Sequence, residues 1–78
     1  MQNLIEIVKQ NQSKIRQTVG GKLWENYGKV RLYCGNNGFI DLETGDLVKS
    51  RPSGEFNLRV IKEWIESGCT SEEINKYY

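Results

Sequence analysis

A chain of 78 residues, 37% hydrophobic and 27% charged, has material for one small core, and folding at this size removes only about 60% of the unfolded surface from water. Residues 1–78 are therefore expected to form a single domain, with a net stability of about 4 to 12 kcal/mol that leaves little to sustain a deep, strained catalytic cavity. The formal charge of +1 is unevenly distributed: residues 1–34 carry six Lys/Arg against two Glu, net +4, and residues 35–78 carry five against eight acids, net −3.

In chain order, Asn3 with Glu6 three residues on reads as a capping box. Leu4, Val8, Asn11, Ile15 and Val19 then recur at helical spacing, which predicts one amphipathic helix stopped by Gly20-Gly21. From Lys22 the period changes. Residues 22–25 read as a short strand, Asn26-Tyr27-Gly28 as a turn, and 29–34 as a second strand. Strict alternation there sends Val30, Leu32 and Cys34 to one face and Lys29, Arg31 and Tyr33 to the other. Gly35-Asn36-Asn37-Gly38 supplies the next turn, 39–42 a third strand, and Glu43-Thr44-Gly45 a loop in which a type I turn ends on a left-handed Gly, before a fourth strand over 46–49.

Pro52, the only proline, ends the sheet, and Ser53 is a candidate cap for a helix over 55–67. That helix carries Phe56, Val60, Ile61, Trp64 and Ile65 on one side and Arg59, Lys62, Glu63 and Glu66 on the other. Gly68 closes it, and Thr70 with Glu73 forms a second capping box opening a short helix over 71–77. This run from Glu63 onward resembles the opening of a helix-turn-helix, but through capping chemistry that all helix pairs share, so no family is assigned. The fold expected is α+β: an N-terminal helix, a three- to four-stranded antiparallel meander, a C-terminal helix and a short terminal one. Both main helices should cover one sheet face and leave the other, with Lys22 or Trp24, Arg31 and Tyr33, open; the alternative is that the N-terminal helix covers that second face and closes it.

Candidate chemistry is thin. Cys34 and Cys69 are too few and too far apart for a disulfide scaffold, and the chain has no His to activate a thiol or complete a zinc site, so both read as reduced structural cysteines. Asp41, Glu43 and Asp46 straddle a hairpin without the regular oxygen spacing of a calcium loop, and the Gly-bearing turns lack the Lys-Ser/Thr of a phosphate loop. The carboxylate pair Glu63 and Glu66 belongs to the polar face of a helix. No enzyme activity, metal or cofactor is expected.

The set that reads as a working surface is Trp24, Tyr27, Lys29, Arg31 and Tyr33. Cations interleaved with aromatics on a sheet suit a protein interface, where Trp, Tyr and Arg dominate binding energy, or stacking against single-stranded nucleic acid. Glu72 and Glu73 form a second, acidic patch that could mimic nucleic acid toward a basic partner. Residues 1–6 lack the basic and apolar stretches of a secretory signal, which suggests a cytoplasmic protein without membrane association. The chain has no Ala and is rich in Asn, Lys, Ile and Tyr, as AT-rich coding produces. With no catalytic set, the expected role is that of a small regulatory protein of a phage or mobile element, acting by protein–protein contact as an inhibitor of a host nucleic-acid-handling defence complex. Direct nucleic-acid binding through the basic face is the alternative, and the exposed sheet makes a homodimer reasonable.

Overall fold

The computed structural model describes residues 3–71 and Ile74. Helices α1 (Leu4–Gln10) and α2 (Gln12–Val19) lead into strands β1 (Lys22–Asn26), β2 (Lys29–Tyr33), β3 (Gly38–Asp41) and β4 (Leu47–Lys49), and helix α3 (Gly54–Glu66) follows. The sheet is an antiparallel meander in the order β1-β2-β3-β4. The expected α+β fold is the one observed.

The predicted N-terminal helix is interrupted at a single residue. Asn11 sits at φ −120°, and its side-chain Nδ2 donates to the Ile7 carbonyl at 2.8 Å, competing with the helical ladder as short polar side chains do. The start is capped as expected, with the Glu6 N–H donating to Asn3 Oδ1 at 2.9 Å, and Gly20 ends α2 in the left-handed region at φ +67°.

Each turn of the meander is closed by its own chemistry. Asn26 pairs with Lys29 across a two-residue loop in which Tyr27 (φ +49°) and Gly28 (φ +74°) are both left-handed, the type I′ arrangement that matches strand twist. A single 3-10 turn, Gly35–Asn37, joins β2 to β3. In the third turn Asp41 Oδ1 accepts the N–H groups of Glu43 (2.9 Å) and Thr44 (3.2 Å), and Gly45 is left-handed as predicted.

Helices α1, α2 and α3 lie on one side of the sheet: α1 packs on α3, α2 on β1, and α3 on β3 and β4. The core between them holds Ile7, Val8 and Ile15 from α1 and α2, Val30, Leu32, Cys34, Ile40 and Leu42 from the sheet region, Leu58, Ile61, Trp64 and Ile65 from α3, and Cys69 and Ile74 beyond it. Two exposed ion pairs, Lys9–Glu25 (3.2 Å) and Lys49–Glu55 (3.3 Å), join helices to the same sheet face.

Helix α3 buries Ile61, Trp64 and Ile65 as expected, with Val60 partly buried, but its start departs from the expectation. Leu58 is fully buried and Phe56 is 45% exposed, because the stripe facing the sheet runs 54, 58, 61, 65 and Phe56 falls to its flank, beside Arg59. Ser53 occupies the cap position without a side-chain cap bond. At the other end Gly68 (φ +80°) and Cys69 (φ +62°) return hydrogen bonds to Ile65 and Trp64 in a Schellman closure. Of the predicted 71–77 helix only Ser71 and Ile74 are described; Ile74 is helical and buried, and the Glu73 half of its capping box lies outside the described residues. Among the described residues no helix is long and apolar enough to cross a membrane.

Candidate functional site

Nothing among the described residues covers the side of the sheet away from the helices, and pairing register orders its residues into two rows across the strands. One row is Lys22, Tyr33, Phe39 and Val48; the other is Trp24, Arg31, Asp41 and, through the Asp41 N–H to Asp46 carbonyl bond of 2.9 Å, Asp46. Alternation within β2 puts Lys29 on this face and Val30 and Leu32 on the other.

Arg31 is the centre of the surface. Its guanidinium carbon lies 4.7 Å from the ring centre of Phe39 and 5.4 Å from that of Trp24, both within cation–π range. Tyr33 stands edge-on to Trp24 at 6.2 Å and tilted against Phe39 at 5.1 Å, so the three rings and the cation form one contiguous cluster. Arg31 Nε is buried and without a hydrogen-bond partner, and no carboxylate among the described residues forms an ion pair with this guanidinium. Tyr33 remains 36% and Val48 43% exposed. Beside the cluster, Lys22, Leu23, Trp24 and Tyr33 line a shallow concavity of about 360 Å³.

Of the predicted set, Trp24, Arg31 and Tyr33 are thus brought together, with Lys29 at their margin. Tyr27 is not. It occupies the tip of the β1–β2 turn, 92% exposed and outside the ring cluster. Phe39 and Val48 belong to the surface and were not foreseen; the signal for Phe39 was its place on the next strand, in register with Tyr33. Glu72 and Glu73 lie outside the described residues.

The face is electrically divided. Lys22, Lys29 and Arg31 stand on β1 and β2, whereas Asp41 and Asp46 stand on the β3–β4 side. Asp41 Oδ1 is engaged by the turn, while Asp46 serves that turn only through its backbone, its N–H reaching Thr44 Oγ1 at 3.2 Å. Among the described residues no group of three His, Cys, Asp or Glu converges as metal ligands.

The cysteines are far from reactive. Cys34 and Cys69 are free and buried, and burial pushes the Cys34 thiol from 9.0 up to about 12. Burial also raises Cys69, with the Lys14 charge drawing it part of the way back. A thiol that is harder to ionise folded than unfolded adds stability below its unfolded pKa and loses it as pH climbs from about 9 toward 12. In native protein at pH 8, Cys34 is accordingly expected to react with a thiol-alkylating reagent only at the rate of unfolding, and mass spectrometry of the labelled peptides checks this. Prompt native labelling would show the thiol to be accessible.

No protein family, curated protein or solved structure matches this chain.

Proposed function

We propose that this chain is a non-enzymatic binding protein that captures a protein partner on the open face of its sheet. The observation that carries this reading is the Arg31 cation held between Trp24 and Phe39, with Tyr33 alongside, on a face that no helix among the described residues covers. Trp, Tyr and Arg at the centre of a surface are the residues whose removal costs most at interfaces, and an aromatic group left in water has unclaimed burial free energy. Ring packing also fixes the Arg31 side chain in advance, which lowers the entropy lost on binding.

Direct nucleic-acid binding is the second reading, favoured by the exposed Tyr33 ring with Lys22 across from it and Arg31 and Lys29 farther along its strand. Asp41 and Asp46 on the same face count against it, because they would repel a continuous phosphate backbone while suiting a partner of mixed charge. The biological role we attach to the first reading is cytoplasmic, as a phage or mobile-element inhibitor that occupies the surface of a host nucleic-acid-handling complex; its support is compositional, the absence of Ala with abundant Asn, Lys, Ile and Tyr.

The test is capture from nuclease-treated and untreated extracts of a host cell by immobilised wild type and by the Arg31→Ala/Tyr33→Ala variant. A partner retained after nuclease and lost at least about a hundredfold with the variant is expected, since two hot-spot truncations cost about 2 kcal/mol each before any overlap. An unchanged thermal midpoint for the variant would show that the loss is local. Capture that vanishes with nuclease and falls steeply with salt would select the nucleic-acid reading instead.

A further inference from the structure

The open face is complementary to itself. We infer that in the free protein it is occupied by a second copy of this chain, packed face to face about a two-fold axis that runs parallel to the strands between β2 and β3; this rests on the reading of the face as an interface.

The argument is one of register. A face-to-face pair of identical sheets has its two-fold axis in the plane between them, and for aligned packing that axis runs close to the strand direction or close to perpendicular to it. An axis across the strands through the Trp24–Arg31–Asp41–Asp46 row sets Arg31 against Arg31 and Asp41 against Asp41, like on like. An axis along the strands keeps each row on itself and exchanges its ends. β2 of one copy then lies over β3 of the other, which sets Arg31 over Asp41 twice, and Tyr33 over Phe39 twice. The axis falls at the middle of the four-stranded order, so both halves of the face are used. Aligned packing of two twisted sheets, at about −30°, preserves register best near the axis, where these four residues stand.

Two features of the single chain fit this arrangement. Arg31 has no carboxylate partner among the described residues, although an acid lies directly across from it on the neighbouring strand, because Asp41 turns one oxygen to its own loop. The second copy offers an acid from above without disturbing that loop. The exposed Val48 and Tyr33 also lose water in the pair.

Size sets the strength. Four strands of up to five residues span about 19 by about 16 Å, or roughly 300 Å² in projection per copy. That is below the standard interface of about 800 Å² per partner, so the dimer is expected to dissociate in the range of tens to hundreds of micromolar.

The experiment is light scattering of the complete chain from about 10 µM to about 1 mM. The mass is expected to rise with concentration from 9.0 kDa toward twice that value. Arg31→Glu, which sets a carboxylate against Asp41 of the other copy, should raise the dissociation constant by at least about tenfold, since two-fold symmetry counts each change twice. Asp41→Asn/Asp46→Lys, which keeps an oxygen for the turn, should weaken self-association likewise. Mixed together, the two weakened chains should recover a heterodimer, as one now carries the acids and the other the bases. A wild type that stays monomeric throughout, or a mixture no tighter than its components, overturns the dimer. If that monomer still captures a partner through Arg31 and Tyr33, the binding reading stands without it. If the wild type dimerises as described but captures nothing from extracts, the dimer stands and the foreign partner falls.

Discussion

Gly38→Ala is expected to destabilise the fold by about 3 to 5 kcal/mol, a large share of the about 4 to 12 kcal/mol available to a chain of this length. Gly38 opens β3 at φ +123°, a conformation that L residues rarely adopt, so backbone strain alone would cost about 1 to 3 kcal/mol. A Cβ there would also run into the Val48 carbonyl oxygen and stand 2.8 Å from the Lys49 Cα and 2.9 Å from the Ser50 N, all backbone at the partner strand. Backbone cannot rotate aside as a side-chain tip can. The β3–β4 ladder would have to separate at the point where Gly38 pairs with Lys49. Gly35→Ala, three residues earlier, is the control. It is also left-handed, at φ +61°, but its Cβ would meet open space, so a cost near about 1 kcal/mol is expected. Urea unfolding of the two variants measures the contrast, and equal costs would remove the steric argument.

Leu58→Ala is expected to cost about 3 to 4 kcal/mol, and Phe56→Ala less than about 1 kcal/mol, although the two residues stand on the same helix and phenylalanine is the larger side chain. Leu58 is 0% exposed among the core residues, whereas Phe56 is 45% exposed at the flank of α3, where it meets the Arg59 guanidinium at 5.4 Å. Removing Leu58 leaves a cavity that the surrounding sheet cannot collapse to fill; removing Phe56 mainly uncovers surface already half in water. Thermal or urea midpoints report the order directly. A more damaging Phe56→Ala would mean that α3 is rotated about its axis.

That contrast also shows where sequence patterning stopped. Phe56, Val60, Ile61, Trp64 and Ile65 read as one apolar side, and of these Ile61, Trp64 and Ile65 are buried, Val60 is partly buried and Phe56 is not. The miss is confined to the start of α3, where Gly54, having no side chain, lies against the Asn37 carbonyl and Leu58, not Phe56, continues the buried stripe. Asn11 misled in a related way. It fits the periodicity of the N-terminal helix, but its side-chain bond to Ile7 is a local alternative that periodicity does not encode. The strands and turns were more legible, because Asn26-Tyr27-Gly28 and Glu43-Thr44-Gly45 specify turn types chemically.

The same division runs through the candidate site. Trp24, Arg31 and Tyr33 follow from alternation within strands, which a sequence carries plainly. Phe39 and Val48 depend on register between strands, set by the 3-10 turn and by the close approach at Gly38, so they entered only with the fold. Tyr27 was grouped with its aromatic neighbours by nearness in sequence, yet a type I′ turn lifts it to the hairpin tip, away from the rings.

Helices α1, α2 and α3 cover one sheet face, but they come from opposite sides of the meander in the chain, and this has a consequence for synthesis. When a ribosome has released residues through β4, the sheet has α1 and α2 beside it but not Leu58, Ile61, Trp64 or Ile65, which close the core over β3 and β4. At that stage the nascent chain has apolar residues on both faces of its strands, and only the β1 side of the core face has a helix, α2, to shield it. Folding must therefore wait for α3, and the interval in which half-made sheets on neighbouring ribosomes can pair with one another is set by the time needed to translate one helix and clear the exit tunnel.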